Sequence, residues 1–182
     1  MAETKTDNSY AADKVALRAA HLPGADTVTV LDCYGGKGVL WKGVANKTKK
    51  RVRRLAIDVR KDDIGFHLPG SNMAYLGTMD LSPFDVIDLD AYGVPCEQLK
   101  TLFERGYTGG VFVTFIQSIF GAMPNGLLTD LGIPAEMIEK CPTLFYGSGW
   151  EYFLDWLGMH GVKTIIHRSH ARKHYLYFHC AA

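Results

Sequence analysis

Four aspartates and a glycine cluster carry the chemistry available to this chain. The run Val28-Thr29-Val30-Leu31-Asp32-Cys33-Tyr34-Gly35-Gly36-Lys37-Gly38-Val39-Leu40 goes from apolar residues through an acid into glycines and back to apolar residues. Glycines let a backbone approach a ligand closely. A strand, a tight glycine loop and a helix together form the usual seat of a nucleotide-type cofactor. Asp32 narrows the choice, because a carboxylate at the loop repels phosphates and attracts amino and sulfonium groups. The pattern points to S-adenosylmethionine rather than a dinucleotide. Asp58, Asp80 and Asp90 likewise sit at or just past the ends of apolar runs. Carboxylates there can accept hydrogen bonds from hydroxyls and amines.

The elements that must hold these residues follow from the pattern. Tyr10 to Ala20 reads as an Ala-rich helix with Val15 and Leu17 towards a core, ended by His21-Leu22-Pro23-Gly24. Thr27 to Cys33 reads as a fully buried strand and Gly38 to Lys47 as the next helix. Further strands are expected over Arg54–Val59, Asn72–Leu76, Phe84–Leu89 and Gly110–Ile116. Pro95 opens a helix to Glu104, and Gly149 to Leu157 forms an aromatic helix. Val162–His167 and His174–Phe178 close the chain as a hairpin. Strands alternating with helices predict a mostly parallel α/β sheet with an antiparallel pair at its end. Ligands in such sheets sit at the carboxyl ends of the strands, where the four acids fall. Ser118 to Cys141, rich in Gly and Pro, is either a lid or a surface excursion with one short helix.

At 182 residues the chain reads as one domain with a full core. Its formal net charge of +1 gives no global field towards nucleic acid or membrane, so any such partner needs a local patch. Cys33, Cys96, Cys141 and Cys180 lack the paired spacing of a zinc site or a disulfide scaffold, and the seven histidines lack metal-ligand spacing. No metal is expected, and the reducing cytoplasm is the simplest compartment. No apolar run approaches the roughly 20 residues of a membrane span. Residues 1–9 are polar and read as a flexible tail.

Taken together, these residues resemble the class I S-adenosylmethionine-dependent methyltransferases, over nearly the whole chain. Asp32 to Gly38 looks like that family's glycine motif, with Asp32, Tyr34, Gly35, Gly36 and Gly38 at the cofactor. The resemblance implies a Rossmann-like fold, a ribose contact for Asp58 and an adenine contact for Asp80, with Leu81 beside it. The most specific piece is Asp88-Leu89-Asp90-Ala91-Tyr92-Gly93-Val94-Pro95. It resembles the Asp-Leu-Asp-Pro-Tyr/Phe-Gly-Ser-Pro motif of the tRNA guanine-N2 dimethyltransferases. More loosely it resembles the Asp/Asn-Pro-Pro-Tyr motif of enzymes that methylate exocyclic amines. Ala91 stands where the motif has Pro, which leaves the loop less rigid. The tRNA enzymes also carry a further C-terminal domain without a counterpart in these residues.

The amine of a nucleic-acid base is a poor nucleophile, because its lone pair is delocalised into the ring. Asp90 can accept a hydrogen bond from the amine, and Tyr92 can stack on the base. Ala91, Gly93 and Pro95 would shape the substrate loop. Transfer would be a direct displacement, accelerated mainly by positioning. Cys96 offers a different chemistry, since Pro95-Cys96 resembles the nucleophile of cytosine C5 methyltransferases. That chemistry wants a partner Glu on the next strand, and Gly110 to Phe115 holds none. Two basic runs, Lys47 to Arg54 and His167 to His174, are either solvated connections or phosphate contacts. Trp150, Tyr152, Phe153 and Trp156 have the spacing of core packing.

The sequence thus predicts a methyltransferase acting on a base amine of nucleic acid, RNA over DNA. One rival is the same fold acting on a protein or small-molecule amine. Another is a non-catalytic subunit that binds cofactor or RNA and needs a partner.

Overall fold

The computed structural model describes residues 10–59, 66–117, 122–141, 143 and 146–180. The expected tail at 1–9 lies outside them. The elements in chain order are α1 (Ala11–Ala20), β1 (Thr27–Asp32), α2 (Val39–Thr48), β2 (Arg51–Asp58), β3 (His67–Pro69), α3 (Asn72–Thr78), β4 (Val86–Leu89) and α4 (Cys96–Glu104). They continue with β5 (Gly110–Ile116), α5 (Asn125–Asp130), α6 (Ala135–Lys140), α7 (Gly149–Met159), β6 (Ile166–His170) and β7 (Lys173–His179).

All seven strands join one sheet in the order β3-β2-β1-β4-β5-β7-β6. Strands β1 to β5 are parallel, while β7 pairs antiparallel with both β5 and β6. The central strands read as continuous apolar runs because both their faces are covered. On one face Val28, Val30, Val86 and Phe112 pack with Leu17 of α1 and Trp41 and Val44 of α2. On the other, Leu31, Ile87, Val111 and Val113 pack with Leu76 of α3, Leu99 of α4 and Phe153 and Trp156 of α7. The order reverses direction between β1 and β4, the switch point at which this kind of sheet opens a crevice at its carboxyl edge.

Three expectations change. Asn72–Leu76 is not a strand but the body of α3, while the third strand is the three-residue β3. A short apolar run does not distinguish the two, and Met73 and Leu76 have helical spacing as well. The segment from Ser118 to Cys141 holds two short helices among its described residues, with Leu127, Leu128 and Ile138 in the core. Residues 118–121 lie outside the described set. The second basic run is not one turn: His167 to His170 belong to β6, and only Ala171 and Arg172 turn the chain. Among the described residues no helix is long and apolar enough to cross a membrane.

Candidate functional site

The loop from β1 to α2 is pinned to β2 at the carboxyl edge. The Gly35 amide donates to the Ile57 carbonyl (3.1 Å), and the Gly36 amide donates to the Asp58 carboxylate (2.9 Å). A Cβ on Gly35 would stand 2.5 Å from the Ala56 Cβ, so only glycine lets the loop lie this close. Gly36 has φ +45, and among the described residues a Cβ there would meet nothing nearer than the Tyr34 carbonyl at 3.9 Å. The loop is therefore tight against the sheet at Gly35 and open at Gly36. Gly38, at φ +66, precedes the first turn of α2. Tyr34 lies half-buried against the core on the other face.

Asn72, at the start of α3, joins this loop to the opposite wall. Its amide donates to the Cys33 carbonyl (3.0 Å), and its oxygen accepts from Gln98 of α4 (3.1 Å). Asn72 thus follows β3 at the place expected of Asp80. Asp80 itself is a correction. Because 72–78 is helical, the chain returns to the far edge of the sheet before reaching Asp80. There Asp80 caps its own turn through the Ser82 amide and hydroxyl, both 3.0 Å away. These bonds hold its carboxyl below the usual range. Leu81 is buried in the core. Both residues leave the candidate site.

The β4 acids meet α1. Asp88 and Asp90 are two residues apart on a strand, so they share a face. Lys14 and Arg18 are four apart on a helix, so they share a stripe. Arg18 holds Asp88 through two bonds, Nε to Oδ2 (2.9 Å) and Nη2 to Oδ1 (2.6 Å). Trp41 Nε1 adds a third donor at 2.8 Å. The Arg18 and Asp88 side chains are 1% and 0% exposed. Lys14 Nζ reaches Asp90 Oδ1 at 2.6 Å, and the Thr114 hydroxyl of β5 donates to the same oxygen. Both donors fall on Oδ1, so among the described residues Oδ2 is left for a ligand. Burial works against the Asp90 charge, but Arg18, Lys14 and the hydrogen bonds from Lys14 and Thr114 outweigh it. Its carboxyl is held below the usual range and is ionised at neutral pH.

Asp32 is tied down differently from expectation. Its Oδ2 accepts from Arg54 Nη1 (3.1 Å) and its Oδ1 from the Tyr34 amide (3.3 Å). Burial and the nearby Asp88 raise this carboxyl to about 7 against the pull of Arg54. Arg54 Nη1 also donates to the Gly35 carbonyl (3.0 Å), so the pair braces the glycine loop from beneath.

Beyond β4 the chain turns outward. Ala91 is buried, and its amide donates to Leu89. Tyr92 projects into solvent with 78% exposure. Gly93, at φ +141, takes a conformation that favours glycine, and its carbonyl accepts from the Ile116 amide (2.8 Å). Pro95 then caps α4. Cys96 is 4% exposed, and burial pushes its thiol up to about 12. A thiol so held is protonated and inert at neutral pH. The methyl transfer that the sequence leads one to expect should stay within about threefold of wild type when Cys96 is replaced by Ser, checked by tritium transfer from labelled cofactor. Loss of all turnover would restore it as a nucleophile.

The structure thus gathers Asp32, Tyr34, Gly35, Gly36, Gly38, Asp58, Asp90 and Tyr92 along one carboxyl edge, with Ala91, Gly93 and Pro95 forming the loop. Sequence reasoning missed Lys14, Arg18, Arg54, Asn72 and Thr114. The only available signal was the matched spacing of Lys14/Arg18 and Asp88/Asp90.

No protein-family model matches the chain, and no curated protein sequence does. Solved structures match it at low identity over nearly its whole length. A candidate class I S-adenosylmethionine-dependent methyltransferase from Listeria monocytogenes has a TM-score of 0.55 at 16% identity, over 100% of this chain and 63% of that one. A candidate rRNA methylase from Clostridium thermocellum has 0.54 at 10% identity, over 99% of both chains. Human N-acetylserotonin methyltransferase, in complex with S-adenosylmethionine, has 0.55 at 12% identity, over 96% of this chain and 53% of that one. The chain therefore has the class I methyltransferase fold.

Proposed function

We propose that this chain is an S-adenosylmethionine-dependent methyltransferase acting on an exocyclic amine of a nucleic-acid base, RNA in preference to DNA. The observation that carries the reading is the meeting, at one carboxyl edge, of an open glycine loop beside Asp58 with an ionised Asp90 beside an exposed Tyr92. The loop fits the cofactor: Gly36 faces open space, and the Asp58 carboxylate stands at the loop to accept from ribose hydroxyls. When bound, S-adenosylmethionine supplies an electrophilic methyl on a sulfonium centre.

The chain's own residues supply position. Asp58 and the loop from Tyr34 to Gly38 hold the cofactor. Tyr92 stacks on an unstacked base. Asp90 accepts an amine hydrogen on Oδ2, which turns the nitrogen lone pair away from the ring system. Lys14 and Thr114 fix that carboxylate from its other oxygen. Holding both partners in line contributes most of the acceleration. The rRNA methylase likeness accords with an RNA base, and the guanine-N2 likeness of the Asp88–Pro95 motif supports an exocyclic amine as the acceptor. The cytoplasm is the compartment assigned, from four thiols without a pairing spacing.

Calorimetric titration with S-adenosylhomocysteine tests the cofactor half. Wild type is expected to bind, and Asp58→Ala to bind about tenfold to a hundredfold more weakly, the loss of hydrogen bonds to a charged group. Absence of binding to wild type, folded by circular dichroism, sinks the reading.

A further inference from the structure

A groove of 640 Å³ runs along the outer side of β2 and α2, away from Asp90. Among the described residues its lining includes four basic side chains, Lys42, Arg51, Arg53 and Arg54, the last of them paired with Asp32, and no acid. In a chain with a formal charge of +1, that is a strong local bias. Of the first basic run, expected to be a solvated connection or a phosphate contact, Lys47 lies in the last turn of α2, Lys49 and Lys50 connect, and Arg51 to Arg54 form the first half of β2. Strand β3 pairs only with Ala56 to Asp58, so among the described residues Arg51 to Leu55 form an outer strand edge. Lys42, Arg51 and Arg53 are all exposed. Phe66, at the upper end of the groove, is 84% exposed, an unusual position for a large apolar ring. Trp41 and Gly38 also line it, so the groove ends at the glycine loop.

We propose that this groove binds the backbone of single-stranded RNA and leads it to the carboxyl edge. The inference rests on the nucleic-acid reading given above and adds the path of the substrate. Lys42, Arg51 and Arg53, exposed along one groove, can neutralise successive phosphates. Arg51 and Arg53, two residues apart on an extended strand, stand about 7 Å from each other and reach separate phosphates. An exposed ring beside such a row is a stacking platform for a base. A protein with an acidic surface would satisfy the cations but has no use for the ring.

The test is fluorescence anisotropy with a labelled 15-nucleotide single-stranded RNA across a salt series, beside the S-adenosylhomocysteine titration. Lys42→Gln/Arg51→Gln/Arg53→Gln removes three phosphate contacts, so the log–log salt slope is expected to flatten by about 2. The same contacts make binding about a hundredfold weaker at 0.1 M salt, converging with wild type near 1 M. Phe66→Ala is expected to lose about tenfold with the slope unchanged. Both variants keep cofactor-product binding and thermal stability. Wild-type RNA affinity in both variants overturns the groove and leaves the nucleic-acid reading standing. A wild type that binds S-adenosylhomocysteine but no RNA overturns both. Displacement of the RNA by a polyglutamate peptide of equal charge, at equal concentration, overturns it in favour of an acidic protein.

Discussion

Replacing Arg18 by methionine is expected to cost the fold about 3–5 kcal/mol, the usual penalty for leaving a buried charge without its partner. Asp88 is wholly buried and takes two of its three donors from Arg18. The variant leaves it with Trp41 alone. Arg18 also donates to the Lys14 carbonyl (3.2 Å), so α1 loses part of its own bracing. In a protein of this size the midpoint of thermal unfolding should fall by roughly 6–20 °C. The double variant Arg18→Met/Asp88→Leu removes both charges and should recover most of that loss, because an apolar pair of similar volume often matches a buried ion pair. Only the Trp41 N–H then lacks an acceptor, at a cost of about 1–3 kcal/mol. Chemical denaturation of the three proteins gives the coupling energy directly. A single variant within 1 kcal/mol of wild type would mean that water reaches Asp88.

Asp90→Asn should abolish most of the turnover while sparing the cofactor site. The amide keeps the size of the carboxylate, but with Lys14 and Thr114 donating to its oxygen it turns its NH2 to the ligand and offers the amine no acceptor. The expected fall in kcat is about 10²–10³, the range for removal of one preorganised electrostatic contact. Binding of S-adenosylhomocysteine should stay within about threefold of wild type, because among the described residues Asp90 bonds to Lys14 and Thr114 and not to the glycine loop. Lys14→Met gives the complementary readout. It removes a charge that depresses the Asp90 carboxyl. Its acid form then persists to higher pH, and the acid limb of the pH–rate profile should move upward. Activity of Asp90→Asn equal to wild type would remove this residue from the chemistry.

The sheet was legible because its central strands are buried on both faces and so read as plain apolar runs ending in acids. Thr27–Asp32 and Gly110–Ile116 needed only boundary adjustment of a residue or none. Strand β3 was illegible: three residues, His67-Leu68-Pro69, cannot carry a period. Its misplacement carried Asp80 and Leu81 with it. Asp58 and Asp90 were visible in the sequence because local motifs announce them. Their supports were not, since Lys14 and Arg18 lie 76 and 70 residues from their partners. Such pairings belong to the folded state, and a single sequence shows them only as complementary spacings. Arg54 was visible as charge, but its use as a brace under Gly35 depends on which side of β2 it faces.

The insertion of β7 between β5 and β6 has a consequence for the making of the protein. Gly110 to Ile116 is uncharged, lacks proline, and is rich in β-branched and aromatic residues. Its partner on that side, Lys173 to His179, is synthesised about 60 residues later. At translation rates of about 5–20 residues per second, β5 waits several seconds with one edge open. During that interval the nascent chain displays the kind of segment that seeds intermolecular pairing. Yield in the cell will therefore depend on how fast the hairpin of β6 and β7 arrives, and mutations that delay it will appear as aggregation rather than as lost activity.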